Sequence, residues 1–279
     1  MSEIEQRIKN KIEAIGTPLE EWGISINYGI KTGYNEAFII NGHKKDELIS
    51  KDPKSAELIR PILRGRDIKR YSYSYADLYL ICTFPSKHYD IDRFPAIKKH
   101  LLMFGKERLQ QTGERNIING ETIQSRKKTK NKWFETQDSI DYWDDFYRPK
   151  IMYNDINQRL SFCLADEDVF CNNTVYFISD NPHNKYLLAC LNSKVIDWYY
   201  KTLSVQLGSN AVRMFSIYVE KIPVPKTVTE KSFEFLIDSI LKKSSRNEDF
   251  SFECDMIDQK LFNLFDLSHE ESDYINSLY

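Results

Sequence analysis

Two segments carry most of the information in this chain. One is Gly29-Ile30-Lys31-Thr32-Gly33-Tyr34-Asn35-Glu36-Ala37-Phe38-Ile39-Ile40; the other is Ile59-Arg60-Pro61-Ile62-Leu63-Arg64-Gly65-Arg66-Asp67-Ile68-Lys69-Arg70-Tyr71. In the first, two glycines four apart frame a Lys-Thr pair and run into an apolar stretch that predicts a strand over 37–40. In the second, Arg or Lys occupies five positions around the single glycine Gly65. Backbone freedom beside cationic and hydroxyl side chains suits a surface that meets a phosphate backbone. It does not by itself make an active site.

Outward from these segments, the pattern alternates between strands and inserted helices. Ile4, Ile8, Ile12 and Ile15 lie at helical spacing and predict an amphipathic helix within 2–22, ended by Thr17-Pro18. Strands are predicted over 24–30, 78–84, 150–156, 160–164 and 175–178. The polar stretch 43–54 reads as a loop or short helix, and 55–63 as a short element interrupted by Pro61. A basic helix is predicted over 94–111, with Pro95 in its first turn and Ile97, Leu101, Leu102 and Leu109 on its apolar side. The least patterned stretch is 112–132, followed by an aromatic and acidic segment over 133–147. The clearest helix spans 185–203, with a broad apolar face from Leu187 to Tyr199. After a loop at Gly208 and a Pro-bounded end at 218–225, acidic helices are predicted over 232–243, 252–265 and from His269 onward. The fold class expected is α+β. A curved, mostly antiparallel sheet with inserted helices occupies 23–225, preceded by a linker helix (1–22) and followed by a helical C-terminal subdomain (226–279).

Composition bounds the rest. At 279 residues the chain can bury a real core, and 41% hydrophobic with 29% charged residues is the balance of a soluble globular protein. No apolar run approaches the ~20 residues needed to cross a bilayer, and the first eleven residues are too polar for a secretory signal. Cys82, Cys163, Cys171, Cys190 and Cys254 are scattered without a C-x-x-C pair, which points to reduced thiols in the cytoplasm and against zinc. The net charge of −2 conceals an asymmetry. Residues 60–132 hold 17 Lys and Arg against 7 Asp and Glu, a surplus of +10, so the remainder sums to −12. Such segregation fits one face toward a polyanion and another toward solvent or a basic partner.

The order of the two opening segments, together with four later ones, resembles a known family. The later pieces are Arg148-Pro149-Lys150-Ile151-Met152-Tyr153, Cys171-Asn172-Asn173-Thr174-Val175-Tyr176-Phe177-Ile178, Tyr186-Leu187-Leu188-Ala189-Cys190-Leu191-Asn192-Ser193 and Tyr218-Val219-Glu220-Lys221-Ile222-Pro223-Val224-Pro225. In this order they resemble the TaqI-like C-terminal specificity domain of type IIG restriction-modification enzymes and adenine-specific DNA methyltransferases, over nearly the whole chain from Gly23. The resemblance implies a target-recognition domain that positions duplex DNA for a methyltransferase, and for a nuclease where one exists. S-adenosylmethionine and Mg²⁺ would then belong to that catalytic partner, with no cofactor in this chain.

Catalytic motifs are missing from the sequence itself. Adenine methylation needs a glycine-rich cofactor loop and an Asn-Pro-Pro-Tyr-like motif to hold a flipped base. The nearest match, Tyr153-Asn154-Asp155-Ile156-Asn157, has neither proline. No pair of carboxylates and a lysine sits on a convincing strand as a Mg²⁺ nuclease requires, and Asp138, Asp141, Asp144 and Asp145 read as a solvated face. Gly29 to Gly33 lacks the ending of a P-loop and precedes a predicted strand.

What remains is binding chemistry. Lys31, Thr32 and Asn35 are candidate phosphate contacts in the glycine loop, although a tight turn with an exposed lysine would read the same way. Arg64, Arg66, Lys69 and Arg70 come next, and one of these has Asp67 or Glu57 available as an internal partner. For base readout, Asn116, Asn119, Gln124, Arg126, Lys127, Lys128 and Lys130 are nominated, since Asn or Gln grips adenine and Arg grips guanine. Asn172, Asn173 and Thr174 recur in the resembled family, and turn formation explains them equally. Gly208, Ser209 and Asn210 have the same standing. The function expected is a sequence-specific DNA target-recognition domain. The rival is a truncated or degenerate module that binds a methyltransferase through its helical tail without touching DNA, and a stand-alone enzyme ranks last.

Overall fold

The computed structural model describes residues 1–179, 181–204, 206–208 and 211–279. Strand β1 (Ser25–Tyr28) follows helix α1 (Glu3–Ile15) and a short strand at Gly16–Pro18 that pairs with Pro223–Pro225. Next come β2 (Ile39–Asn41), α2 (Gly42–Lys51), β3 (Ile59–Leu63), β4 (Leu78–Ile81) and α3 (Pro95–Leu102). After a long excursion the chain forms β5 (Lys150–Asn154), β6 (Phe162–Ala165), β7 (Phe170–Cys171) and β8 (Val175–Ser179). It then enters α4 (Asn184–Leu191), α5 (Lys194–Leu203), α6 (Glu230–Ser245), α7 (Ser251–Leu264) and α8 (His269–Asn276).

The α+β class holds, and most of the antiparallel pairing is divided between two four-stranded sheets, with smaller two- and three-stranded ones beside them. One has the order β6-β5-β8-β1 and is antiparallel throughout. The other has the order β7-β3-β4-β2, with β7 parallel to β3. Strand β5 explains the division. Its first four residues are all buried, because successive side chains point to opposite faces and both faces are covered. Ile151 and Tyr153 join a core made with α4–α7, whereas Met152 joins a second core shared with the other sheet. Phe162 and Ile178 follow the first pattern, Cys163 and Phe177 the second. The first sheet is therefore a wall between two cores, and rings stack against its second face, Phe146 lying 4.4 Å from Phe170.

Lys150 opens β5 fully buried and, among the described residues, without a carboxylate partner. Its Nζ donates to the carbonyls of Phe146, Arg148 and Asp166 at 2.7, 3.1 and 2.9 Å, satisfying all three of its protons. Burial pushes its ammonium down to about 8.

Several expected elements differ in detail. Residues 35–38 form one helical turn, and the strand starts only at Ile39. The polar stretch after it is a true helix, α2, capped by the Asn41 side chain on the Lys44 amide at 2.8 Å. The basic helix breaks at Gly105, whose φ is 85°, leaving α3 and a single turn at Lys106–Leu109. Leu102, expected on its apolar side, is exposed.

The helix expected over 185–203 breaks at Asn192-Ser193, since Asn192 has a different task. Its amide exchanges two hydrogen bonds with the backbone of Phe162, at 3.0 and 2.9 Å, while Ser193 caps α5. A buried side chain thus blunts the sheet edge at β6. Helix α1 carries a capping box between Ser2 and Glu5 and buries Ile8 and Ile12. It is tied to α8 by Arg7–Glu270 and Lys11–Glu271 at 2.7 and 2.8 Å. No helix among the described residues is long and apolar enough to cross a membrane, and all five cysteines are free and buried.

Candidate nucleic-acid interface

The opening motifs meet where the two sheets join. Ile30 forms a parallel bridge with Asn172, and its amide donates to the Cys171 carbonyl at 2.7 Å. The Asn172 amide donates to the Leu63 carbonyl at 3.0 Å, and that of Asn173 to the Ile30 carbonyl at 3.1 Å. The segment 170–175 thereby crosses from one sheet to the other and binds both opening segments as it goes. Gly29 is required here for a reason other than ligand access: a Cβ at this position would collide with the Asn172 carbonyl.

Side chains then fix the turns around this seam. The Thr174 hydroxyl accepts from the Gly65 amide at 2.9 Å and donates to Asn172 Oδ1 at 2.7 Å. The Thr32 hydroxyl accepts from the Tyr34 amide at 3.1 Å and donates to Asn35 Oδ1 at 2.7 Å. A cleft of about 540 Å³ results, lined in part by Asn35, Arg64, Arg66, Asn154, Asp155 and Asn172. A second concavity of about 330 Å³ shares Asn35 and Glu36 with it and continues to Lys31 and Asn173. One groove thus runs from the glycine loop to the Arg64-Gly65-Arg66 turn.

The nominated residues separate by what their polar atoms already hold. Lys31, Arg66, Lys69, Lys127, Lys128 and Lys130 are exposed, and they stand outside the ion pairs found among the described residues. Asn119 and Asn173 are exposed, and Asn116 is half-buried. Arg64 is committed to Asp67 through two bonds of 2.9 Å. Burial alone would push the Asp67 carboxyl up, but its bonds from Arg64 hold it below the ordinary range. Arg70 points away from the groove and donates twice to the Asn192 carbonyl, at 3.1 and 2.6 Å.

Arg126 is only 4% exposed. It donates to the carbonyls of Leu109, Thr32, Glu135 and Trp133 at 2.8, 2.6, 2.8 and 2.7 Å. Thr32 and Asn172 are buried as well. These three residues, with Arg64, hold the groove's frame in this structure, whereas Arg70 ties the Gly65 segment to the helical core. Ser209 and Asn210 lie outside the described residues, and Gly208, just before them, is exposed with φ 65°.

The +10 surplus of residues 60–132 is therefore partly spent inside the molecule. Arg60 bonds the carbonyls of Ala56 and Ile59, Lys98 pairs with Asp92, and Lys87 sits over the Trp143 ring. The cations that remain free near the groove are those of the glycine loop, the Gly65 turn and the segment 127–130, which Arg126 anchors beneath Thr32.

Two groups of residues escaped the sequence reading. Asn154 and Asp155 line the groove because Asn154 ends β5 at the seam and Asp155 follows it. Burial pushes Asp155 up, partly offset by Arg213 at 3.4 Å. Within the unpatterned stretch, Arg115–Ile118 and Glu121–Gln124 form an antiparallel hairpin. Its signal was the dipeptide Asn119-Gly120, whose φ values of 51° and 84° suit a two-residue turn with both φ positive.

Comparison with known proteins bears on this architecture. Residues 60–224, more than half of the chain, match the TaqI-like C-terminal specificity domain. Type II methyltransferase M.BstVI of Geobacillus stearothermophilus is 25% identical over 242 residues, which cover 85% of this chain and 39% of that protein. Type II methyltransferase M.PaeR7I of Pseudomonas aeruginosa is 23% identical over 266 residues, covering 94% and 41%. The chain thus spans about two fifths of the length of these relatives. Among solved structures, the type IIL restriction-modification enzyme MmeI in complex with DNA superposes with a TM-score of 0.59, covering 91% of this chain and 36% of that one at 14% identity. The type IIG restriction endonuclease BpuSI gives 0.51, covering 84% and 27% at the same 14% identity. At such identities these two likenesses concern the fold alone. With the family model covering more than half of the chain, including the Gly65 and Asn172–Thr174 turns of the groove, the chain belongs to the TaqI-like C-terminal specificity domain family.

Proposed function

We propose that this chain is a sequence-specific DNA target-recognition domain that presents duplex DNA to a methyltransferase, and to a nuclease where one is attached. One observation carries the reading. The glycine loop, the Gly65 turn and the Asn172–Thr174 turn, separate in sequence, line one groove at the sheet junction, and its Lys31 and Arg66 stand outside the ion pairs found among the described residues. Phosphates supply most of the affinity for such a surface, and polar side chains in a groove supply discrimination. Lys31, Arg66, Lys127, Lys128 and Lys130 are the phosphate contacts on this view, and Asn35, Asn119 and Asn173 are candidate base contacts. The methyl donor and any Mg²⁺ act in the catalytic partner. The C-terminal helices, with Phe235 74% and Phe252 68% exposed, are the surface left for that partner.

The test is a fluorescence-anisotropy titration of the chain with labelled duplexes at low salt, repeated with a cognate methyltransferase present. Saturable binding that weakens steeply with salt is expected. Absence of duplex binding under both conditions overturns the proposal.

A further inference from the structure

The hairpin Arg115–Gln124 belongs to neither core. Its Ile117 is 79% exposed, and an isolated two-stranded ribbon is marginal without a surface to cover it. The register sorts its side chains. Arg115 faces Gln124 and Ile117 faces Thr122 on one side, and Asn116 faces Ile123 and Ile118 faces Glu121 on the other. All four residues of the first side are exposed, whereas Asn116, Ile118 and Ile123 are half-buried. The outward face is thus Arg115, Gln124, Ile117 and Thr122.

Gln124 is fully occupied on this face. Its Oε1 accepts from Arg115 Nε at 2.9 Å, and its Nε2 lies 3.2–3.3 Å from the carbonyls of Gly113, Glu114 and Ser125. Among the described residues that leaves the two terminal nitrogens of Arg115 without a partner, on a guanidinium whose Nε is already held. The ribbon base is clamped in turn, since the Arg126 backbone bonds Gln110 and Gly113 at 2.9 Å while its side chain is buried.

We infer that this ribbon enters the DNA major groove and reads sequence there, with Arg115 gripping a guanine, Ile117 covering a neighbouring thymine methyl and Gln124 positioning Arg115. The inference rests on the proposed DNA-binding function and goes further by naming the reading element. The major groove admits a two-stranded ribbon, presents guanine O6 and N7 to a two-pronged donor, and carries the thymine methyl as its apolar feature. An exposed isoleucine between an oriented arginine and a threonine matches that chemistry.

The experiment selects duplexes from a randomised pool with the full chain, then measures affinities for every single-base variant of the selected site. Arg115→Ala is expected to erase discrimination at one G·C pair, worth about 5- to 150-fold, with other positions kept. Gln124→Leu, which keeps the ribbon's size, should loosen that same pair and no other, at unchanged Tm. Replacing one thymine by deoxyuridine should weaken wild-type binding by about 4-fold, as for one buried methyl, and leave Ile117→Ala unaffected. If Arg115→Ala weakens all sequences equally with a smaller salt slope, Arg115 is a phosphate contact and the inference fails. Unchanged preference overturns it too and leaves the ribbon to a protein partner. Duplex binding without any preference overturns the inference alone, whereas no binding at all overturns the proposed function with it.

Discussion

Replacing Arg126 with methionine should unfold the frame of the groove before it touches recognition. Methionine retains the aliphatic stem beside Phe38, whose ring centroid lies 5.0 Å from the guanidinium carbon, so the packing loss is small. What disappears is four charged hydrogen bonds to the carbonyls of Thr32, Leu109, Trp133 and Glu135. At roughly 1.5–3 kcal/mol for each bond from a charged donor, their gross worth is about 6–12 kcal/mol. Against this stands the cost of keeping the guanidinium out of water. Burial pushes Arg126 down to about 10, a depression equivalent to roughly 3 kcal/mol.

The net loss is then about 3–9 kcal/mol and a fall in Tm of roughly 5–15 °C. Urea and thermal unfolding followed by tryptophan fluorescence would measure it, with duplex affinity determined on the folded fraction. A variant that melts within a degree or two of the wild type while losing duplex affinity would refute the reasoning, because Arg126 would then be a surface contact.

Three further outcomes are expected. Arg66→Ala should weaken binding to all duplexes alike and lower the slope of log K against log salt by about 0.9, and changing Lys127, Lys128 and Lys130 together to Gln by about 2–3. Gly29→Ala should cost about 1–3 kcal/mol in urea unfolding, since the new methyl meets the Asn172 carbonyl and neither backbone has room to retreat; a neutral result would show that the seam is soft. Lys150→Met should change the pH dependence of stability. Lys150 releases its proton at about 8 in the fold against an ordinary 10.5. Between those values the unfolded chain therefore holds the extra proton, and this residue's contribution to stability rises with pH. Unfolding free energies of wild type and variant, measured from pH 7 to 10.5, should diverge in the wild type's favour as pH rises. A flat difference would show that Lys150 titrates as an exposed lysine does.

Local patterns were legible where one face is buried and the other is wet. The spacing of Ile8 and Ile12 announced α1, and the apolar face from Leu187 announced the α4–α5 region. The break at Asn192 was hidden because its cause, the backbone of Phe162, lies thirty residues away in the chain. The hairpin at Arg115–Gln124 was overlooked although Asn119-Gly120 signals it, since its strands show no clear apolar alternation: one face is only half-buried and the exposed one carries Ile117. The strand expected over 150–156 is present as β5, but its burial on both faces, which leaves no alternation, hid the fact that it divides two cores.

From the sequence alone came the family, through motifs whose order survives in the chain, the α+β class, and the concentration of positive charge in residues 60–132. Which of those charges face outward was decided only by tertiary structure. Arg64, Arg70 and Arg126 look like Arg66 in a linear reading, yet one is held by a carboxylate and two by backbone carbonyls. A guanidinium is assigned by whatever acceptors the fold brings within three ångströms of it, and for Arg70 and Arg126 these include the carbonyls of Asn192 and Thr32, 122 and 94 residues away in the chain.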